Sequence, residues 1–433
     1  MKKVLILLLI IPVLSFAGFL DLVQQQLDKS SSYLSAMLSY KEAEFNLSKS
    51  KNAFLPYVST NQLSFSTDFE NYTFSVPLSI KFQDIIGFDL TISNSWTYSS
   101  KNEKWNDGGW ALTISRELFS NWDITDLQNQ QKYSSAVYNL IETRNKTFLN
   151  LANDIFNYHY YSRKLEITRR KIEILEDQFD SLQRAYEAGT ASREDILQVQ
   201  GNIYQMTNQL DQISQNLMGA LTEYSTDTLS TMLACLERIT ADLPSQGEAE
   251  KRIMNRSDLK AQLIAVEIAK RQNDRAYQEW LPNPTFSFTV KQDETSDKGY
   301  SLSLGFGFGY NILDRGERNY AYNNAKESYS LEQRILDEQL DSLKKAVQKA
   351  FLSIKIAESS KKVAELNLQL KKMEYERIAN ATSYVSQSDI ESAKLDLDDA
   401  EAELLKANYD LLIAKTSLLQ TLGVDLVQIA GGK

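Results

Sequence analysis

Apolar residues recur every seven positions over long stretches of this chain and alternate with polar ones over shorter stretches. One row holds Leu151, Tyr158, Leu165, Ile172, Phe179 and Tyr186, with Leu175 and Leu182 beside it. The next stretch pairs Ile196, Ile203, Leu210 and Leu217 with Val199, Met206, Ile213 and Ala220. Later, Leu340, Val347, Ile354, Leu368 and Tyr375 keep a row broken by Lys361, and Ala393, Ala400, Ala407 and Ala414 run against Leu397, Leu404, Leu411 and Leu418. A seven-residue period sustained this long predicts coiled-coil helices, and a row of Ala lets a neighbouring backbone come close. The two longest rods, about 125–187 and 315–378, would each reach roughly 95 Å.

The alternating stretches sit between helices, and the order repeats. Helical patterns end at "FLPY" with Pro56 and at "WLPNP" with Pro282; strands, a long helix, a tip and a return helix then follow in each half. This predicts two structural repeats, 18–240 with strands at 57–119 and a tip at 188–195, and 241–433 with strands at 283–313 and a tip at 379–389. Pro56 and Pro282 are 226 residues apart, whereas Asp195 and Asp389 are 194 apart. The first half therefore carries about 32 extra residues in its strand region, room for roughly one more hairpin.

Those strands have the pattern of a membrane barrel. Tyr300, Leu302, Leu304, Phe306, Phe308 and Tyr310 alternate with Ser and Gly, "GFDLTISNSW" and "GWALTISREL" alternate likewise, and Trp96, Trp105, Trp110 and Trp122 fall towards strand ends. An apolar outer face, a small polar inner face and aromatics at the rims are what a bilayer demands of strands. Four to six strands per chain are too few to close a barrel of at least eight, so closure takes several chains.

The N-terminus changes the setting. Lys2 and Lys3, the apolar run Val4–Leu14 and small residues ending at Ala17 predict a secretory signal peptide at 1–17. The chain has 47 basic and 57 acidic residues, net −10, and losing Lys2 and Lys3 takes this to −12. Such an acidic chain argues against nucleic acid as a partner. With Cys235 the sole cysteine, neither an intrachain disulfide nor a cysteine metal cluster is expected, and the sole histidine, His159, reads as packed or surface-exposed. Asp396, Asp398, Asp399, Glu401 and Glu403 in "KLDLDDAEAEL" read as a solvated helix face, not a metal or catalytic site. There is no phosphate-binding Gly loop, so no cofactor, no metal and no enzymatic activity are expected, and any energy for transport comes from a partner.

The tips have their own chemistry. In "AYEAGTASREDIL" (185–197) Gly189 can take the left-handed conformation that ends a helix. Ser192 then caps the return helix, with Asp195 three residues on. "ANATSYVSQSDIE" (379–391) repeats this at Ser386 and Asp389, with Asn380 as its left-handed residue.

The duplicated order, "FLP" and "WLPNP" before the strands, "YNILDRGERNYAYNNA" after them and the tip "GTASREDIL" together resemble the TolC family of outer membrane efflux and secretion channels, the outer membrane factors. Ile312, Leu313, Asp314 and Gly316 follow a family motif from which Arg315 departs. The resemblance implies a mainly α fold with a β-barrel portion. A homotrimer would close a barrel of four strands per chain in outer membrane lipid, continued through the periplasm by an α-helical tunnel. The extra residues would make either an extracellular excursion or more barrel strands, and the excursion is the expectation. In the family the tips meet a periplasmic adaptor protein, itself joined to an inner-membrane transporter. That role carries over to Gly189, Thr190, Ala191, Ser192, Asp195 and Ile196, and to Ser386, Asp389 and Ile390. Asp389 and Glu391 would ring the pore entrance.

The leading reading is thus a passive, trimeric exit duct for small molecules or proteins across outer membrane and periplasm. The alternative is a coiled-coil spacer that tethers the envelope and has no conducting lumen. The inserted strands favour the duct.

Overall fold

The computed structural model describes residues 18–432 apart from 53, 61, 69, 86, 219–223, 294–298, 311 and 382–384. The expected signal peptide at 1–17 lies outside them. Residues 18–29 form helix α1, and α2 (Ser31–Lys51) follows. Six strand segments come next: β1 (Tyr57–Thr60), β2 (Ser64–Thr67), β3 (Tyr72–Ile85), β4 (Phe88–Ser99), β5 (Lys104–Asp107) and β6 (Ala111–Glu117). Helices α3 (Trp122–Glu187), α4 (Arg193–Met218), α5 (Thr226–Ile239), α6 (Gln246–Arg252) and α7 (Ser257–Arg275) lead to β7 (Thr285–Gln292) and β8 (Tyr300–Gly307). The chain closes with α8 (Glu317–Asn380), α9 (Gln387–Thr421) and α10 (Leu426–Ala430).

Two compact units form. The sheet unit comprises Met37–Tyr138 and Ser257–Asp341, and the helical unit comprises the chain up to Ala36, Asn139–Arg256 and the chain from Ser342.

In the sheet unit every pairing is antiparallel, in the order β1, β3, β4, β6, β7, β8, with β2 also on β3 and β5 also on β4. The short segments are parts of longer strands. Thr60 pairs with Leu78 and Ser64 with Ser75, so four steps on one side oppose three on the other, a one-residue bulge. Pro77 sits at this break, a place where a strand tolerates proline. The same count separates β5 from β6: Asp107 pairs with Trp96 and Ala111 with Ser93. Gly108 lies at that second bulge, where a Cβ would come within 2.8 Å of the Ser95 carbonyl oxygen. Among the described residues the sheet thus has six strands, four of them in the first half. This corrects the expected excursion, because β3 and β4 are paired on both sides within the sheet.

Alternation along each strand becomes two faces across the sheet. Val58, Ile80, Ile92, Leu112, Val290 and Leu302 lie side by side in one row that crosses all six strands. The neighbouring row on the opposite face reads Tyr57, Lys81, Thr91, Thr113, Thr289 and Ser303. Hydroxyl pairs Ser59–Ser79 (2.9 Å), Ser75–Thr97 (2.9 Å) and Thr113–Thr289 (3.1 Å) knit this polar face. Aromatic rings crowd one end of the sheet, where Tyr98 and Phe74 both pack against Trp105.

Below the other end, Asp123 at the start of α3 accepts hydrogen bonds from Arg271 (2.7 Å) and Arg275 (2.8 Å) of α7. Ala265, Ile268 and Ala269 of α7 are buried.

The helical unit has its own core. Phe19 of α1 meets Phe148 of α3 edge-on at 5.2 Å, and Ile155, Met232, Leu236, Leu418 and Leu426 are fully buried. Asn145, also fully buried, donates to the Val424 carbonyl (2.7 Å) and accepts from the Leu426 N–H (2.8 Å), which secures the C-terminal turn to α3. The heptad row read from the sequence is displaced here. Leu151 is buried, but nearer the tip Tyr160, Ile167 and Ile174 are buried while Leu165, Ile172 and Phe179 are half-buried. The cause is the partner: α3 turns toward α9, and Ile167, Ile174 and Leu395 form one cluster. The Ala row behaves as its small side chains predict, with Ala393, Ala400 and Ala407 all buried.

Candidate functional site

The tips at the ends of α3 and α8 are built by backbone chemistry. After Glu187 the N–H of Gly189 donates to the Tyr186 carbonyl (2.9 Å) and that of Thr190 to the Ala185 carbonyl (2.8 Å). These two bonds, with φ +73° at Gly189, make a Schellman motif. The Thr190 hydroxyl adds a second donor to the Ala185 carbonyl at 3.0 Å. Ser192 Oγ then accepts from the Asp195 N–H (3.1 Å), while Asp195 Oδ2 accepts from the Ser192 N–H (3.0 Å) and hydroxyl (2.7 Å). This is a capping box with Asp as the acid. The Ser192 hydroxyl, and then its backbone N–H, hold the Asp195 carboxyl below its usual pKa.

Gly189, Thr190, Ser192 and Asp195 are exposed, and Ala191 and Ile196 half-buried. Leu197 beside them is also exposed, at 56%. The tip therefore offers a rigid turn of small and polar residues with an apolar margin.

The second tip repeats the box. Ser386 Oγ accepts from the Asp389 N–H (3.1 Å), and Asp389 Oδ2 accepts from the Ser386 N–H (3.2 Å) and hydroxyl (2.6 Å). Ile390 is half-buried. Asn380 differs from expectation: it is the last residue of α8 and helical.

Behind this tip a ladder of ion pairs joins α9 to α3. Glu391 meets Arg170 at 2.8 Å, Asp396 meets Lys171 at 2.7 Å, and Asp399 and Glu403 meet Lys164 at 2.6 and 3.0 Å. Glu401 meets Arg163 at 2.6 Å, and Lys371 of α8 also reaches Asp396, at 3.3 Å. These acids are thus not the plain solvated face expected. The signal that would have found them is the heptad spacing of "RK" at 163–164 and "RK" at 170–171, in step with the acids of an antiparallel neighbour. Partial burial raises the Asp396 carboxyl, but hydrogen bonds from Lys171 and Lys371 outweigh it and leave the pKa lowered. Glu391, expected to ring the entrance, has its charge compensated by Arg170; Asp389 is engaged only in its cap.

Residues 250–424 match the family described as outer membrane efflux protein. Over this stretch the chain is similar to that family. The family is one of the outer membrane, the setting expected from the strands. No curated protein matches the sequence. Among solved structures, the outer membrane protein VceC of Vibrio cholerae superposes with a TM-score of 0.56 at 14% identity, over 94% of this chain and 98% of its own. The Campylobacter jejuni CmeC outer membrane channel gives 0.55 at 12%, over 94% and 85%. The Neisseria gonorrhoeae MtrE outer membrane channel, solved in its open state, gives 0.53 at 15%, over 95% and 88%. At such identities the likeness is one of fold: nearly the whole chain has the fold of these outer membrane proteins, two of which are described as channels.

Proposed function

We propose that three copies of this chain form an outer membrane channel-tunnel, a passive exit duct for small molecules or proteins. In this reading the chain is two structural repeats, 18–240 and 241–433. The tips at 188–195 and 379–389 dock on a periplasmic adaptor that an inner-membrane transporter energises.

The observation that carries the reading is the two-faced sheet. A face of Val, Ile, Leu and Phe suits acyl chains and a face of Ser and Thr suits a wet lumen, while the outer edges of β1–β2 and β8 have no partner strand among the described residues. Open edges cannot stay bare in lipid, so neighbouring copies must supply their partners. Helix α8 gives the helical part of the assembly a matching surface. Its Val363, Leu366, Leu370 and Met373, spaced three and four apart, are each more than half exposed, as a seam awaiting another helix would be.

Single-channel recording on the purified protein in a planar bilayer tests this. Discrete openings are expected. Silence that persists after both tips are trimmed away would replace the duct by the spacer.

A further inference from the structure

We infer that the barrel of the trimer has eighteen strands, six from each chain, and that β3 and β4 are wall strands with one face on lipid and the other on the lumen. The inference rests on the trimeric duct proposed above.

Four observations lead to it. The first is length: β3 has 14 residues and β4 has 12, against the ~9–11 that a tilted strand needs to span a bilayer. The second is the apolar face, which continues across β3 and β4 and is interrupted on β4 by Asn94. Ile80 and Ile92 lie in the same row as Val290 and Leu302, and Phe82 and Leu90 in the same row as Phe288 and Leu304. A hairpin held in water above the membrane has no use for that face, and exposing it would cost about 25 cal/mol for each Å². The third is position: β3 and β4 are interior strands, the second and third in the sheet order, so neither can leave without breaking ladders on both sides. The fourth is the pair of bulges. One opposes Pro77 and the other opposes Ser95, and Pro77 and Ser95 face each other, so both bends fall at one height and curve the four strands together. Moving β3 and β4 out would separate each bulge from the residue it accommodates.

The consequence is a wide mouth. At a strand spacing of about 4.8 Å and a tilt of about 40°, eighteen strands close a backbone ring about 36 Å across, against about 24 Å for twelve. Barrels of this larger size hold an aqueous channel. The Ser and Thr face would line it chiefly with hydroxyls, with Lys81, Asp89, Glu117 and Lys291 of both signs among them, so the outer mouth would pass bulky cargo with little net preference for either charge.

Single cysteines read by lipid and by water test the inference. Cys235 is buried and its thiol is pushed up to about 11, chiefly by that burial, so it leaves little background. Ile80→Cys, Leu90→Cys and, for reference, Leu304→Cys would carry a fluorescent probe in bilayers containing brominated lipid, and Thr91→Cys would be treated with a water-soluble thiol reagent during single-channel recording. Quenching at Ile80 and Leu90 equal to that at Leu304, with conductance falling in steps as Thr91→Cys reacts, is the expected result. Quenching at Leu304 alone would put β3 and β4 outside the wall and overturn the inference. Native mass spectrometry separates the two layers of the argument. Three chains without quenching at Ile80 would leave the trimer intact and remove only the eighteen-strand wall. A species of two or four chains would overturn both the strand count and the trimer.

Discussion

Lys164 of α3 donates to Asp399 of α9 at 2.6 Å, and on its other side to Glu403 at 3.0 Å. One lysine thus joins two acids a helical turn apart, and the ladder that begins at Glu391 extends inward from the tip. Partial burial pulls the Lys164 pKa down, yet its two carboxylate partners outweigh that effect and leave it raised. Reversing the charge, Lys164→Glu, should lower stability by about 1–2 kcal/mol, the range of a half-buried charged pair turned repulsive. Adding Asp399→Lys should return part of the loss. Thermal unfolding of the two single variants and the double variant gives the coupling, and a coupling of zero would make the pair irrelevant to stability.

Asp123 predicts a limb in the pH dependence. Its hydrogen bond from Arg275, with further help from Arg271, lowers the carboxyl from the ordinary 3.8 to about 2. A carboxyl whose folded pKa is depressed stabilises the fold above its unfolded pKa and loses that contribution as pH falls through the folded one. The clamp between α3 and α7 should therefore be at full strength above about pH 4 and weaken toward pH 2. Chemical denaturation across this range should show Asp123→Asn less stable than the wild type at pH 6 and nearly equal to it at pH 2. A gap that stays constant with pH would remove Asp123 as its source.

Arg315 stands where the resembling family has glycine, and the backbone shows what that costs. Its φ is +56°, followed by +90° at Gly316, so two successive residues adopt the left-handed region just before α8. Asp314 steadies this turn by accepting from the N–H groups of Gly316 (3.2 Å) and Arg318 (3.0 Å). A non-glycine residue there costs about 1–2 kcal/mol, part of which glycine returns as entropy of the unfolded chain. Arg315→Gly should therefore raise stability by about 0.5–1 kcal/mol in equilibrium unfolding. A loss would mean that the arginine side chain repays its own strain.

Most of the fold was legible in the sequence because its two periods, seven for the rods and two for the strands, are the periods of the packing itself. Pro56, Pro282 and the Ser–Asp pairs at the tips marked the element boundaries for the same reason: each acts through the local backbone. What escaped depends on neighbours distant in sequence. Whether the extra strand residues joined the sheet turned on pairings such as Ile92 with Leu112, and no single strand records its partner. The side of α3 that would be buried turned on where α9 lies against it. The acids of α9 looked solvated because their partners on α3 are more than two hundred residues away in the chain.

Gly189 makes the first tip vulnerable to one substitution. Its φ of +73° is out of reach for proline, and its N–H is spent on the Tyr186 carbonyl. Gly189→Pro should reshape the turn, and Asp195→Arg should break the capping box and place a positive charge at the start of α4. Both changes lie on an exposed end, so the trimer should survive in native mass spectrometry while adaptor-dependent export falls at least tenfold. Normal export by both variants would remove the tip from docking.

Asp389 and Glu391 were both expected to ring the pore entrance, and their surroundings now separate them. Glu391 lies 2.8 Å from Arg170, so its charge is already met within the chain. Asp389 accepts only from the Ser386 N–H and hydroxyl, neutral donors that leave the negative charge uncompensated. If three copies bring the second tips together, three such charges converge, and a multivalent cation gains from all of them at once. Asp389→Asn keeps an oxygen to cap the helix and removes only the charge. It should weaken block by a trivalent cation about tenfold or more in single-channel recording, at unchanged thermal stability. Glu391→Gln should leave the block nearly unchanged and instead loosen the Arg170 end of the ladder. The reverse outcome, block lost with Glu391→Gln and kept with Asp389→Asn, would move the ring one helical step inward and show that Arg170 releases Glu391 in the assembled channel.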